Sequence, residues 1–441
     1  MRILIYGINY APELTGIGKY TGEMASWFAK QGHTVHVVTG MPYYPKWKTK
    51  TSYKGKLWHK EVIEGVKVYR CPLYVPRHLT AAKRIIHEFS FMLSTTPVWF
   101  KKLFDRKYDV VLSVSPPFHL GFLPTLYAML KKSPIVTHIQ DLQIDVAKNM
   151  GMINNKFLIN LMYKGERFIL QKSKAITTIS EGMLRKIHDK GVHPEKCKLL
   201  PNWVDEEVIR PLSKEESLRA EFGFNLSDKI ILYSGNLGGK QGLQDLIPTA
   251  EAFKHRSDIH FVIVGSGGIK QQLQQAAEEA NLKNVHFFSL QSWERMSALL
   301  AMADVHLVLQ KKSASDLVMP SKLTSILAAG GVPLVTASEG TALYNIIEEN
   351  KIGFIVEPES VSDLIAGINN ALDSNLVTIA ERARIYAENH LSRESIMRSW
   401  SDELTNLVEE QAETRKTYIN ISDTRQPYPS SNTKTRVSEA V

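Results

Sequence analysis

Short β-branched apolar runs alternate along the chain with longer stretches in which apolar residues return every three or four positions. In the first half, "RILIYGI", "HTVHVVTG", "GVKVYRCPLYV", "YDVVLSVSPP", "SPIVTHIQDL", "KAITTIS" and "CKLLPN" predict strands. The series repeats as "KIILYSGNL", "IHFVIVGSGG", "NVHFFSL", "ADVHLVLQ", "VPLVTAS" and "IGFIVEP". Apolar runs separated by helices argue for parallel sheets covered on both faces. Tyr20, Met24, Trp27 and Phe28 fall on one helical stripe that ends at Gly32, which predicts the first crossover helix and a core role for that stripe. Between the two series lies the polar, proline-marked linker "PNWVDEEVIRPLSKEESLRAEFGFNLSD". The expected fold class is α/β, with two doubly wound domains, 1–205 and 206–390, facing a cleft, and a polar tail, 411–441, expected to be disordered.

Composition narrows the class. A chain of 441 residues exceeds one typical core, and 44% hydrophobic with 22% charged residues is globular rather than fibrous. Two cysteines, Cys71 and Cys197, suggest neither a disulfide framework nor a zinc site and fit a reducing cytoplasm. The start "MRILIYGINYAPE" lacks a signal-peptide pattern, and no window reaches the ~18 to 20 apolar residues of a membrane span. The net charge of +9 favours an anionic partner: a nucleotide, a phospholipid surface or a lipid diphosphate.

In doubly wound sheets ligands sit beyond the carboxyl ends of strands, and five such places carry candidate chemistry. In "PELTGIGKY", Gly16 and Gly18 allow close backbone approach to a ligand before a helix start, although a glycine turn without ligand has the same sequence. "THIQDLQID" brings His138, Gln140, Asp141 and Asp145 to a strand end, where Asp141 suits proton transfer or sugar orientation and equally suits a cap. "SGNLGGKQGL" offers Asn236, Lys240 and Gly242 as a diphosphate cradle. "VGSGG" with Gly265 is a partial dinucleotide fingerprint without the following acid, which disfavours NAD and leaves a nucleoside contact open. "MPSKLTSILAAGG" places Pro320, Ser321 and Lys322 at a helix start, where a lysine opposes the dipole and asks for an anion. No Asp-x-Asp motif stands with further acidic ligands at a strand end, so no metal is expected.

The stretch 79–107 mixes Ile85, Ile86, Phe89, Leu93, Trp99, Phe100 and Phe104 with Lys83, Arg84, Lys101 and Lys102. That mixture suits an interfacial membrane contact, and it suits equally a pair of core helices with a solvated basic face.

The combination of "PELTGIGKY", "GHTVHVVTG", "PNWVD", "SGNLGGKQGL", "VGSGGIKQQL", "MADVHLVLQ" and "MPSKLTSILAAGGVPLV" resembles the GT-B glycosyltransferases of family 4 over roughly residues 1 to 410. Within that family the chain is similar to fucosyltransferases of colanic acid and related exopolysaccharide assembly. The resemblance implies a retaining hexosyltransferase without cofactor, moving L-fucose from GDP-fucose to an undecaprenyl-diphosphate-linked glycan at the anionic inner-membrane surface. A cytoplasmic, membrane-peripheral location and no nucleic-acid partner follow from it. It implies that Gly16 to Gly18 approach the donor diphosphate from the acceptor side, that His138 and Asp141 face the reacting centre, and that Asn236 to Gly242 and Pro320 to Lys322 receive the diphosphate. A helix over 391–410 is expected to pack back on the N-terminal domain. Two departures stand out: Asn236 and Gln241 occupy positions where many members carry Arg and Lys, and no acid stands near Ser325 or Ile326, where the second of a Glu-x7-Glu pair is usual. Asp316 is the nearby acid, and Lys240 and Lys322 are left to neutralise charge. A UDP-sugar donor, a non-catalytic binding protein of the same fold and a nucleotide-sugar epimerase are the alternatives.

Overall fold

The computed structural model describes residues 1–13, 16–78 and 80–423, and within these the side chains of Ala81, Lys240 and 414–423 lie outside the description. Two sheets organise it. The first contains β1 (Arg2–Tyr6), β2 (Thr34–Gly40), β3 (His59–Ile63), β4 (Val66–Cys71), β5 (Val110–Ser115), β6 (Ile135–Ile139), β7 (Ala175–Thr178) and β8 (Cys197–Leu199), in spatial order β3-β4-β2-β1-β5-β6-β7-β8. The second contains β9 (Lys229–Asn236), β10 (Ile259–Ser266), β11 (Val285–Phe288), β12 (Val305–Val308), β13 (Pro333–Thr336) and β14 (Phe354–Val356), in order β11-β10-β9-β12-β13-β14. Only β3 runs antiparallel, against β4. The chain order reverses between β1 and β5 and again between β9 and β12, and each reversal opens a crevice beyond the strand ends.

Thirteen of these fourteen strands coincide with the predicted runs; β3 does not. Its sequence, "HKEVI", holds two apolar residues, and its side chains alternate between half-buried and exposed. The run "GVKVYRCPLYV" yields only β4, because Pro72 has no N–H to continue the ladder.

The predicted stripe on the Gly16–Lys30 helix is core: Tyr20, Met24, Trp27 and Phe28 pack against Ile3 and Ile5 of β1. The helix Arg393–Asp423 joins the same cluster through Met397, Trp400, Leu404 and Leu407, and Trp27 Nε1 donates to Glu394 Oε2 at 2.7 Å. This helix runs past residue 411, where a disordered tail is expected from composition, to Asp423; residues 424–441 lie outside the description.

The chain therefore crosses between the domains twice, and the crossings lie side by side. Val204 N donates to Leu391 O and Arg393 N to Val204 O, both at 2.9 Å, so that Val204 and Ser392 form a parallel bridge. Arg393 also pairs with Asp205 at 2.8 Å.

Candidate active site between the two domains

The acceptor-side wall starts from a buried carboxylate. One oxygen of Glu13 accepts the backbone N–H groups of Tyr43 and Tyr44, both at 2.9 Å, and the other accepts Asn9 Nδ2 at 2.9 Å. Burial pushes this carboxyl up from its ordinary range, and the three donors pull it back. Glu13 thus ties the opening loop to the loop after β2. A Cβ on Gly18 would stand 2.9 Å from Glu13 Cβ, so glycine is required there by the protein's own packing and not by a ligand. Gly16, at φ +60°, is exposed, with the Tyr44 ring 3.8 Å from the place a Cβ would take. Of the two predicted glycines, only Gly16 borders open space.

Beyond β6 the predicted pair separates. His138 is buried, with Nδ1 2.9 Å from Thr177 Oγ1 and Nε2 2.8 Å from Gln140 Nε2. The amide N–H donates to Nε2, which leaves the ring proton on Nδ1 for Thr177. Burial lowers the imidazole pKa to about 4, so the ring is neutral at physiological pH. The predicted role of His138 facing the reacting centre is corrected: both nitrogens are engaged inside the domain. Asp141, half-buried, stays at the edge; after burial and Glu13, its charge helps hold the Tyr44 hydroxyl above its usual range. Gly16, Tyr44 and Asp141 form the N-terminal wall.

The donor-side wall is the β9/β12 crevice. Asn236, exposed, ends β9, and its carbonyl accepts Tyr233 Oη at 2.8 Å; Gly239–Gln241 is a single 3-10 turn ended by Gly242 at φ +61°. The Lys240 side chain lies outside the description. Gly265 is buried, and a Cβ there would collide with the Gly235 carbonyl oxygen, so this glycine lets two strand ends pack.

Half-buried Pro320 and exposed Ser321 precede the short Lys322–Ala328 helix. Lys322 does not reach outward. Its ammonium lies 3.3 Å from the centroid of the Tyr233 ring, donates to Leu307 O at 3.4 Å, and sits 3.8 Å from the place a Cβ on Gly235 would take. Burial holds it well below the usual lysine range. It is thus a desolvated cation beneath the cradle loop, with one long hydrogen bond for three donors among the described residues.

Asp316, the nearby acid, is spent on structure: Oδ2 accepts Arg185 Nη2 at 3.2 Å and Oδ1 accepts the Ala342 N–H at 2.8 Å. Ile326 is core, so no acid at that position could reach the cleft without unpacking it. No group of three or more His, Cys, Asp or Glu among the described residues is placed to hold a metal ion.

The two walls meet. Tyr20 faces Thr324 of the Lys322–Ala328 helix, Lys19 Nζ lies 4.3 Å from the Trp293 ring centroid, and Leu142 N donates to Leu317 O at 3.2 Å. Arg185 and Asp316 add an ion pair across the same gap.

On the Ala81–Phe104 helix the predicted surface residues divide. Trp99 is buried beside Tyr6, ring centroids 5.1 Å apart, and Lys102 is buried over the Tyr69 ring and paired with Asp105 at 3.2 Å, so neither belongs to an outer face. Arg84 is held by Glu88 at 3.1 Å, while Phe100 and Lys101 are exposed and Lys83 is half-buried. Glu13 and Tyr44 are absent from the predicted set, and Gln140, named at the same strand end as His138, proves to be that ring's partner. Glu13 is a carboxylate inside the loop between the first strand and the first helix, and "PYYPKW" after the second strand clusters aromatics; these were the available signals.

Residues 15–203 match a glycosyl transferase 4-like domain and residues 214–390 match glycosyl transferases group 1. The chain is 40% identical over 416 residues to the colanic acid biosynthesis glycosyl transferase WcaI of Escherichia coli K12, covering 92% of this chain and 100% of that one. It is 30% identical over 135 residues, 31% of this chain and 33% of the other, to an N-acetylgalactosamine-N,N'-diacetylbacillosaminyl-diphospho-undecaprenol 4-alpha-N-acetylgalactosaminyltransferase of Campylobacter jejuni. Among solved structures, sucrose-phosphate synthase of Thermosynechococcus elongatus superposes with a TM-score of 0.74 at 14% identity, over 93% of this chain and 99% of that one, which speaks for the fold. Two facing doubly wound domains, matched in turn by the two glycosyltransferase models and end to end by one relative, make this chain a member of the GT-B glycosyltransferases of family 4.

Proposed function

We propose that the protein transfers a hexose, L-fucose from GDP-fucose, to a lipid-diphosphate-linked glycan in exopolysaccharide assembly, working at the inner-membrane surface. The observation that carries the reading is the desolvated, under-partnered Lys322 ammonium beneath the cradle loop, opposite Gly16, Tyr44 and Asp141. A lysine so placed gains partners when a diphosphate enters. The similarity to WcaI supports the exopolysaccharide setting, and the diphospho-undecaprenol named for the Campylobacter relative supports the acceptor class.

In this reading the donor diphosphate lies over Asn236 to Gly242 and against Ser321, with Lys322 and Lys240 neutralising the charge that grows on the leaving phosphate. The bond from the anomeric carbon to the diphosphate oxygen breaks, the acceptor hydroxyl oxygen bonds to that carbon from the same face, and its proton passes to the departing phosphate oxygen. The stereochemistry is retained. Asp141 orients the incoming hydroxyl, and His138 acts only by fixing Gln140 beside it.

The membrane reading rests on exposed apolar side chains. Ile86, Leu93, Phe100 and Phe104 on the Ala81–Phe104 helix are 55 to 77% exposed, and Leu126 and Leu130 of the Phe122–Lys131 helix extend the surface. No helix among the described residues is long and apolar enough to cross a membrane.

A screen of GDP- and UDP-sugars against an undecaprenyl-diphosphate-linked glycan tests the reading, with sugar transfer from GDP-fucose as the expected result. Nucleotide binding without transfer from any donor would replace it with the non-catalytic reading, which the apolar Ile326 favours; turnover without acceptor would indicate an epimerase.

A further inference from the structure

The helices Gln143–Asn149, Lys156–Lys172 and Glu181–Asp189 enclose a cavity of about 750 Å³ on the N-terminal domain. Its floor is electrically closed. Lys190 Nζ lies 2.5 Å from Asp145 Oδ2 and 2.6 Å from Glu166 Oε2, and Tyr163 donates to the other Asp145 oxygen at 3.0 Å. The rim is not closed: Lys148, Lys164, Arg167 and Lys186 line it without a carboxylate partner among the described residues, against one rim acid, Asp189. Beside these cations stand Phe157, 79% exposed, and Leu161, 56% exposed, with Leu317 on the opposite side. Phe168, further along the same helix, stacks on Phe122 at 6.2 Å and continues the apolar surface.

Unpaired cations and water-exposed large apolar side chains at one mouth fit a ligand that is anionic at one point and hydrocarbon beyond it. We infer that this cavity binds the diphosphate and first isoprenoid units of a polyprenyl-diphosphate acceptor, an inference that rests on the transfer reading above. Position favours this occupant over a bilayer headgroup. Asp145 on the cavity floor stands in the first turn of the Gln143–Asn149 helix, which begins two residues after Asp141, so a glycan leaving the diphosphate enters the cleft at Asp141 and Tyr44. Leu317 belongs both to the cavity wall and to the contact with Leu142 that joins the domains, so the occupant touches the loop leading to Pro320 and Ser321. A neutral diacylglycerol would leave the rim cations unanswered.

The full chain is titrated calorimetrically with farnesyl diphosphate, farnesol and inorganic diphosphate, alone and in the presence of GDP. Farnesyl diphosphate is expected to bind at least roughly tenfold tighter than either fragment, to bind equally with GDP present, and to lose roughly tenfold in Lys164→Glu/Arg167→Glu and in Phe157→Ser. Unchanged affinity in both variants, competition by GDP, or equal competition by phosphatidylglycerol micelles overturns the assignment. GDP affinity is measured on the same samples: normal GDP binding with no sugar transfer defeats the transfer reading, whereas the farnesyl diphosphate titration decides the cavity independently.

Discussion

Lys322 shows how much one side chain's direction matters. The sequence places it at a helix start after a strand, which is legible, but a helix-start lysine can point to solvent or back under the sheet, and only packing against Tyr233 settles which. Because a buried ammonium with one long hydrogen bond costs stability in the empty protein, Lys322→Met is expected to lower transfer by about 10²-fold or more while leaving thermal stability equal or higher. Lower stability with normal turnover would make Lys322 structural. Its depressed pKa adds a sign. Burial holds it down and a bound diphosphate raises it, so donor binding draws protons towards this site, read as a binding heat that varies with the ionisation enthalpy of the buffer. His138 carries the opposite lesson, since its residue type suggests a base and its environment denies it. Its pKa falls from 6.5 unfolded to about 4 folded, so the stability it contributes is complete above pH 6.5 and lost on acidification towards 4. The loss attributable to this ring is about 3 kcal/mol, and urea unfolding of His138→Gln across that range is expected to show a shallower pH slope than wild type.

At the scale of elements, apolar runs specify β-strands well, most clearly where every side chain is buried as in β5, β6, β7, β12 and β13, whereas the edge strand β3 carries only two apolar residues and was not legible. Glycines are less legible, because one residue type serves a ligand, a turn and a close packing alike. Gly18 answers to the Glu13 side chain five residues earlier, in the loop before its helix, and Gly265 to the Gly235 carbonyl on the neighbouring strand, close approaches that leave no periodic pattern. Glu13 itself escaped for the same reason: its partners Tyr43 and Tyr44 come from another loop. The last helix belongs to the N-terminal core although it follows the C-terminal domain. Trp400→Ala is accordingly expected to destabilise by about 3 to 5 kcal/mol, measured by urea denaturation, with the loss reported by N-terminal probes such as Trp27 fluorescence. A loss below about 1 kcal/mol would mean that the helix is only laid on the surface.

At the scale of the molecule, the exposed apolar side chains of three helices lie on the N-terminal domain, with the cations Lys101, Lys164 and Arg167 among them. Replacing Ile86, Leu93, Phe100 and Phe104 together by Glu is expected to abolish flotation with phosphatidylglycerol liposomes, whereas raising salt weakens the wild type only in part, because apolar insertion is not screened. Equal flotation of the variant would remove this face from the membrane reading. The two domains are joined covalently at two crossings, and these lie side by side at Val204 and Ser392. Two tethers bonded to each other form a single axle: sliding or twisting would tear Val204 from both Leu391 and Arg393, while rotation about the pair keeps both bonds. The two crossings thus act as one joint, each held by the backbone of the other.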